Sequence, residues 1–214
     1  MIGDQLRNRM VLYGHPECMS TAKCLQTAAE KGVDVESKVI AGTDDPEFRE
    51  CSPFGMGPAL RDVKFVLAGI VSIMSYLDDK GFGPSLVPRN GVLRAIMYNW
   101  AELSMHVVDN PHEIGDTARI EPVLDALDKH LLKPPARGDF ICGAFTLADI
   151  HWAATLNMLA IKGHGSMIES RSTLNSWYAK VKSHPSTSKE NIIPQTHPTP
   201  VSYTHLTLPT ICSV

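Results

Sequence analysis

A segment rich in glycine and proline, residues 81–90, divides the chain into two parts with different hydrophobic patterns. Before this segment, short apolar runs alternate with stretches of helical periodicity, and after it only helical periodicity remains. A cluster of glycine and proline residues is typical of a linker. With 214 residues, the chain is long enough for one large domain or two small ones. The sequence therefore predicts an α/β domain over residues 1–80, then the linker, then an all-α helical bundle over residues 91–184.

The first part follows the order β-α-β-α-β-β-α. Its predicted elements cover residues 10–13, 21–31, 33–40, 46–51, 59–67 and 70–77. The segment 59–67 is predicted to be a hairpin around Asp62, and Gly32 marks the end of the first helix. Because strands and helices alternate, we expect a sheet covered by helices.

The second part shows apolar residues at helical spacing. The spacing predicts four helices, over residues 92–108, 120–132, 146–159 and 174–182. At the start of the third, Thr146 and Asp149 have the spacing of a capping box, in which the Asp149 carboxylate accepts from the Thr146 N–H. Phe145 and Ile150 occupy the two positions of a hydrophobic staple.

Proline, serine and threonine without periodicity dominate the last 30 residues. This composition predicts an irregular or disordered tail over residues 185–214, because it supplies too little apolar surface for a core. The stretch 201–214 resembles read-through or other non-native sequence, so we leave it out of the fold prediction.

Composition excludes several classes of function. The net charge of −3 and the lack of a basic run argue against nucleic-acid binding. The apolar runs are far shorter than the ~20 residues that a membrane-spanning helix needs, and the N-terminus has no signal-peptide pattern. Five scattered cysteines without CxxC favour a reducing compartment, so the expected location is cytoplasmic.

Four short sequences stand in order along the chain: LYGHP, AAEKGVD, SPFGMGPAL and FTLADI, at residues 12–16, 28–34, 52–60 and 145–150. Together with the two-part pattern, they resemble the landmarks of the cytosolic glutathione S-transferase family. The resemblance implies a thioredoxin-like N-terminal domain, an all-α C-terminal bundle, glutathione as co-substrate, a small electrophile or disulfide as second substrate, and a homodimer.

In this family a residue after the first strand faces the sulfur of glutathione, and that position falls on Cys18. Independently of the resemblance, Cys18 stands just before a predicted helix, where unpaired N–H groups favour a thiolate. The neighbouring Glu17 opposes this effect, so an unreactive small residue is the alternative. Ser20 or Thr21 are candidates to supply a hydroxyl to the thiolate.

The resemblance also assigns a glutathione-binding loop. Pro58 matches the family's cis-proline, and Met56 and Gly57 precede it. The family's acidic or Gln residue and its following Ser, which hold the γ-glutamyl group, fall on Gly69 and Ile70. Neither of these side chains forms hydrogen bonds, so weaker glutathione binding is expected.

The first helix of the second part borders the family's hydrophobic substrate site. Met105 and His106 are the candidates to line it, whereas Met97 and Trp100 are assigned to the core from their spacing. The histidines form no HExxH or other zinc pattern, so no metal is expected.

Two functions follow from these observations. In the first, Cys18 acts as the nucleophile of a glutathione-dependent thiol transferase. In the alternative, the chain is a non-catalytic relative that serves as a binding or scaffolding subunit of a protein assembly. The loss of the family's polar side chains at Gly69 and Ile70 favours the non-catalytic alternative, and the retained Cys18 favours the thiol transferase.

Overall fold

Four short strands form one mixed sheet in the order β2-β1-β3-β4. The computed structural model describes residues 10–15, 18–40, 42–63, 65–108, 117–137 and 139–187. The elements of the first domain are β1 Val11–Gly14, α1 Met19–Glu30, β2 Glu36–Val39, α2 Pro46–Cys51, β3 Ala59–Asp62, β4 Phe65–Ala68 and α3 Ile70–Lys80. Strands β1 and β2 are parallel, whereas β3 pairs antiparallel with both β1 and β4. The predicted hairpin is β3–β4.

The two faces of β1 belong to different layers. Leu12 is fully buried and belongs to the large core that includes α1 and α3, while Tyr13 packs with Phe48 of α2 in a smaller cluster. Adjacent residues of a strand point to opposite faces, so each face of the sheet receives a helix layer. The observed arrangement is a thioredoxin-like α/β domain, as predicted.

The second domain is all-helical, as predicted. Its helices are α4 Gly91–Val108, α5 Thr117–Leu131, α6 Leu147–Leu159, α7 Ser166–Glu169 and α8 Ser172–Lys182. The indoles of Trp152 and Trp177 are its largest fully buried side chains. At the start of α6, Asp149 accepts hydrogen bonds from the Thr146 N–H at 2.9 Å and the Thr146 hydroxyl at 3.0 Å. None of the helices in the described ranges is long and apolar enough to cross a membrane.

The segment between the two domains is anchored by a buried ion pair. Lys31 Nζ lies 3.0 Å from Asp78 Oδ1, and both side chains are almost fully buried. Lys31 Nζ also donates to the Pro84 carbonyl at 2.7 Å, and Asp78 accepts from Ser85 Oγ and from the Leu86 N–H. The segment is therefore held to the first domain at several points.

Packing continues beyond His184. Ser186 and Thr187 are 3% and 5% exposed, and Gln26 Nε2 donates to Thr187 Oγ1 at 2.7 Å. The tail predicted from residue 185 therefore begins with a packed segment, while residues 188–214 lie outside the described residues. The division into residues 1–80, 81–90 and 91–184 stays a prediction.

Candidate functional site

Cys18 caps the N-terminus of α1. Its backbone is extended, with φ −84° and ψ 120°, and its carbonyl accepts from the Ala22 N–H at 3.0 Å. Its own N–H donates to the His15 carbonyl at 2.9 Å, which fixes the turn before the helix. The side chain is partly exposed. This is the position predicted for a reactive thiol, at the positive end of the helix dipole. Glu17, the residue expected to oppose this effect, lies outside the described residues.

The other three described cysteines are buried. Burial raises the pKa of the Cys142 thiol to about 11 and also raises the pKa of Cys24 and Cys51. A buried thiol with a raised pKa is a poor nucleophile at neutral pH. Among the described cysteines, Cys18 is therefore the one with a partly exposed side chain.

The Thr21 side chain packs against Gly14 and does not bond to Cys18. Its side chain is 1% exposed and lies directly against Gly14, where a Cβ would meet it. Thr21 Oγ1 has no hydrogen-bond partner among the described residues. Of the two hydroxyls considered for the thiolate, the partly exposed Ser20 is the one left free of this packing.

The Met56–Pro58 loop lies next to the start of α3. The Gly57–Pro58 peptide bond is cis, as predicted. Ser52 Oγ donates to the Met56 carbonyl at 2.7 Å, and the Gly69 N–H donates to the Pro58 carbonyl at 3.1 Å. Within the described part of the chain, the Gly57 N–H and C=O make no hydrogen bond. These two groups are available to a peptide-like ligand.

Gly69 and Ile70 begin α3, and they provide backbone groups alone. Gly69 has φ +97°, a conformation that favours glycine, and it caps the helix without a side-chain hydrogen bond. The first turn contains no acidic residue. Ser72, which no sequence pattern indicated, is exposed and carries the single side-chain hydroxyl of this turn. The Gly69–Pro58 hydrogen bond thus joins the Met56–Pro58 loop to the start of α3 at Gly69 and Ile70, and the binding of glutathione by these residues stays a prediction.

The candidates for the second substrate site lie on α4. Met105 is half-buried, while His106 is exposed and its Nε2 lies 3.6 Å from Glu102 Oε1 of the same helix. Met97 and Trp100 are buried in the core, as predicted. The assignment of Met105 and His106 to a substrate pocket stays a prediction.

A buried polar cluster between the domains was missed by the sequence analysis. Lys23 of α1, Ser104 of α4 and His151 of α6 are 0%, 0% and 2% exposed. Ser104 Oγ donates to the Ala101 carbonyl at 2.8 Å and lies 3.3 Å from His151 Nδ1, so Nδ1 carries the proton of the ring. Burial, assisted by the charge of Lys23, holds the pKa of His151 well below its usual value.

Within the described ranges, no three His, Cys, Asp or Glu side chains gather closely enough to hold a metal ion.

Comparison with known proteins identifies both halves of the chain. The glutathione S-transferase N-terminal domain matches residues 12–85, and the glutathione S-transferase C-terminal domain matches residues 109–189. A glutathione S-transferase of Triticum aestivum is 42% identical over 60 residues, which is 28% of each chain. One of Hyoscyamus muticus is 26% identical over 209 residues, covering 84% of this chain and 96% of that protein.

The fold also matches solved structures. Glutathione S-transferase I from maize, in complex with an atrazine glutathione conjugate, superposes with a TM-score of 0.73 at 22% identity. The match covers 85% of this chain and 95% of that one. At this level of identity, the likeness shows the fold of both domains.

Proposed function

The chain belongs to the glutathione S-transferase family, and from that premise we propose that it is a glutathione-dependent thiol transferase with Cys18 as its nucleophile. One observation carries this proposal. Cys18 is the partly exposed cysteine at the N-terminus of α1, whereas the other described cysteines are buried. The family supplies the co-substrate, glutathione, and the cysteine supplies the type of chemistry.

The reaction has two thiol–disulfide exchanges. The Cys18 thiolate attacks the glutathione sulfur of a mixed disulfide, the substrate S–S bond breaks, and the substrate sulfur leaves as a thiolate that takes a proton from water. A second glutathione thiolate then attacks the glutathione sulfur on Cys18. This step releases oxidised glutathione and returns Cys18 as a thiolate. The mixed disulfide is reduced, and two glutathione sulfurs become one disulfide.

Glutathione is proposed to bind through the main chain. The Gly57 N–H and C=O are free to pair with the cysteinyl part of the tripeptide, as one strand pairs with another. The first turn of α3 offers backbone N–H groups and the Ser72 hydroxyl to a carboxylate. No acidic side chain in that turn receives the γ-glutamyl amine, so each missing charge-assisted bond lowers affinity by about ten-fold or more.

A second candidate function is a non-catalytic binding or scaffolding subunit. It is favoured by the exposed apolar side chains beside Pro58 and at the start of α3, where Met56 is 57% exposed and Val71 43% exposed. The family's polar contacts are replaced at Gly69 and Ile70. A surface of this kind fits a protein partner better than a charged tripeptide.

We further propose a cytoplasmic homodimer. The first domain exposes apolar side chains around the edge strand β4 and the loop after α2, namely Phe54, Met56, Phe65, Val66 and Val71. Exposed apolar surface of this kind is typical of an association site. The cytoplasmic location rests on the unpaired state of the described cysteines.

Two measurements test the catalytic proposal. Immobilised glutathione is expected to retain the protein and free glutathione to elute it. In a thiol-transfer assay with a glutathione mixed disulfide, Cys18→Ser is expected to lower kcat/KM by at least about a thousand-fold, because the nucleophile is lost. Cys142→Ser removes a buried thiol whose sulfur contacts the Leu93 carbonyl of α4, and it is the matched control, with activity retained.

If the protein does not bind glutathione at millimolar concentration, the thiol-transferase proposal is wrong and the scaffolding subunit is favoured. If the protein binds glutathione but Cys18→Ser is as active as the wild type, glutathione remains the ligand and Cys18 is not the nucleophile.

A further inference from the structure

His184, which follows the last helix of the second domain, contacts Glu30 at the end of α1. His184 Nδ1 lies 3.2 Å from Glu30 Oε2, and the two side chains are 22% and 23% exposed. The imidazole is stacked on the Phe145 ring, with 4.0 Å between centroids and 7° between planes, and Phe140 meets it edge-on at 6.1 Å. The ring is therefore held in one orientation, with Nδ1 directed at a carboxylate of the other domain.

Two residues that follow His184, Ser186 and Thr187, pack next to the contact between His184 and α1. His184 Nδ1 lies 3.1 Å from Ser186 Oγ, and Thr187 accepts from Gln26 of α1. Gln26 and Thr187 both line a cavity between α1, α6 and α8. The His184 contact thus positions the segment that forms one wall of this cavity.

The charged groups around the ring leave Glu30 as its ionic partner. The elements that carry the contact also contain Asp139, next to Phe140, and Lys180 and Lys182 of α8. Lys182 Nζ lies over the Tyr178 ring, 5.0 Å from its centroid. Lys180 Nζ and Asp139 Oδ1 pair with each other at 2.8 Å. A positive charge on His184 is therefore balanced by Glu30.

We infer that His184 and Glu30 form a proton-dependent ion pair that fastens the end of the helical domain to α1. When the imidazole is protonated, Nδ1–H donates to the Glu30 carboxylate in a charge-assisted hydrogen bond. When the ring is neutral, Nδ1 makes at most an uncharged bond, which it shares with Ser186 Oγ. A neutral imidazole cannot form an ion pair, so the strength of this contact depends on pH.

A double-mutant cycle measures the pair by itself. The wild-type chain, Glu30→Gln, His184→Gln and the double variant are unfolded in urea at about pH 5.5 and about pH 8.5, on either side of the titration of histidine. Other titrating groups occur in all four proteins, so their contributions cancel in the coupling. We expect a coupling of roughly five-fold in the unfolding equilibrium constant at the lower pH, falling below about two-fold at the higher pH.

The chain contains a matched control pair. Glu102 and His106 on α4 lie 3.6 Å apart, but they are 67% and 73% exposed. The same cycle with Glu102→Gln and His106→Gln is expected to give less than about two-fold coupling at both pH values, since exposed pairs contribute little.

A Glu30–His184 coupling that is equal at the two pH values, or no larger than that of the control pair, overturns the inference. If His184→Gln does not fold, the single variant Glu30→Gln decides. Its loss of stability relative to wild type must be larger at the lower pH, and an equal loss at both also overturns the inference.

Discussion

Gly14, at the end of β1, is required by its contact with α1. A Cβ at this position would lie 3.1 Å from the Thr21 Cβ and closer still to the Thr21 γ atoms. Thr21 is β-branched and held within a helix, so it cannot rotate away freely. Gly14→Ala is expected to lower the free energy of unfolding by about 1–3 kcal/mol, the usual cost of overpacking. Urea denaturation of the variant and the wild type measures this difference.

Gly91→Ala is the control for this substitution. Gly91 begins α4, and apart from its chain neighbours and the backbone of its own helix, no described atom lies within 4 Å of the position of its Cβ. Alanine there is expected to be neutral or slightly stabilising, because it reduces the entropy of the unfolded chain. Thr21→Ala should restore part of the stability lost in Gly14→Ala. Equal effects of Gly14→Ala and Gly91→Ala would contradict the steric explanation.

Among single residues, those set by local geometry were predictable. Cys18 was expected before a helix and is found as its N-cap, because a strand, a turn and a helix pattern enclose it in the sequence. The cis form of Pro58 was expected from the resemblance to the family, not from local geometry, and the bond is cis. Thr21 was considered as a partner for the thiolate, but it is turned against Gly14. The direction of a side chain depends on tertiary contacts that no spacing rule encodes.

At the level of elements, the Lys31–Asp78 pair holds the segment between the domains, residues 81–90, against the first domain. Asp78→Ala leaves Lys31 charged and buried, and it also removes the acceptor for the Leu86 N–H. We expect the free energy of unfolding to fall by about 3–5 kcal/mol, since an uncompensated charge remains in the interior. Limited proteolysis within residues 81–90 should also become faster than in the wild type.

The exposed pair Arg49–Asp44 provides the comparison. Asp44 is 96% exposed and lies 3.1 Å from Arg49. Asp44→Ala is expected to leave both unfolding and proteolysis unchanged, because water and salt screen such pairs. If Asp78→Ala behaves like Asp44→Ala, the segment is held by other contacts.

The long helices, the four strands and the six-residue helix α2 were predictable, whereas the short elements between α6 and α8 were not. Every helix of 11 or more residues was expected within a few residues of its observed bounds, because its apolar residues recur at helical spacing. The four-residue helix α7 and the wide turn Ala160–His164 before it were missed. Gly163 has φ +88° there and interrupts the helix. Four helical residues make about one turn, too few to display the helical period, and Gly163 and Gly165 do not by themselves predict which way the chain turns.

The interface between the domains was the least predictable level of the structure. Lys23, Ser104 and His151 lie far apart in the sequence and meet because α1 packs against α6. Each is polar and by itself suggests an exposed position. Their burial follows from how two complete domains dock. A sequence without structural neighbours gives no pattern for that docking.

His151 and Asp149, both buried near the start of α6, give the whole molecule an opposing pair of pH dependences. Burial lowers the pKa of His151 far below 6.5, so below that pH the unfolded chain binds a proton that the folded protein does not. Stability from this group is therefore lost as pH falls. Burial raises the pKa of Asp149 to about 6, only partly offset by its hydrogen-bond donors. The folded protein then holds a proton between about pH 4 and 6 that the unfolded chain has released, so this contribution is lost as pH rises.

The two slopes have opposite signs and each is about 1.4 kcal/mol per pH unit, so they largely cancel between about pH 4 and 6. Removing one group exposes the other. The stability cost of His151→Gln, relative to wild type, should shrink as pH is lowered from about 6.5 to 4, whereas the cost of Asp149→Asn should grow over about pH 6 to 4. Urea unfolding of the three proteins at each pH measures both trends. Costs that stay constant with pH would mean that neither group changes its protonation on folding, and that the interior around α6 is more accessible to water than its packing indicates.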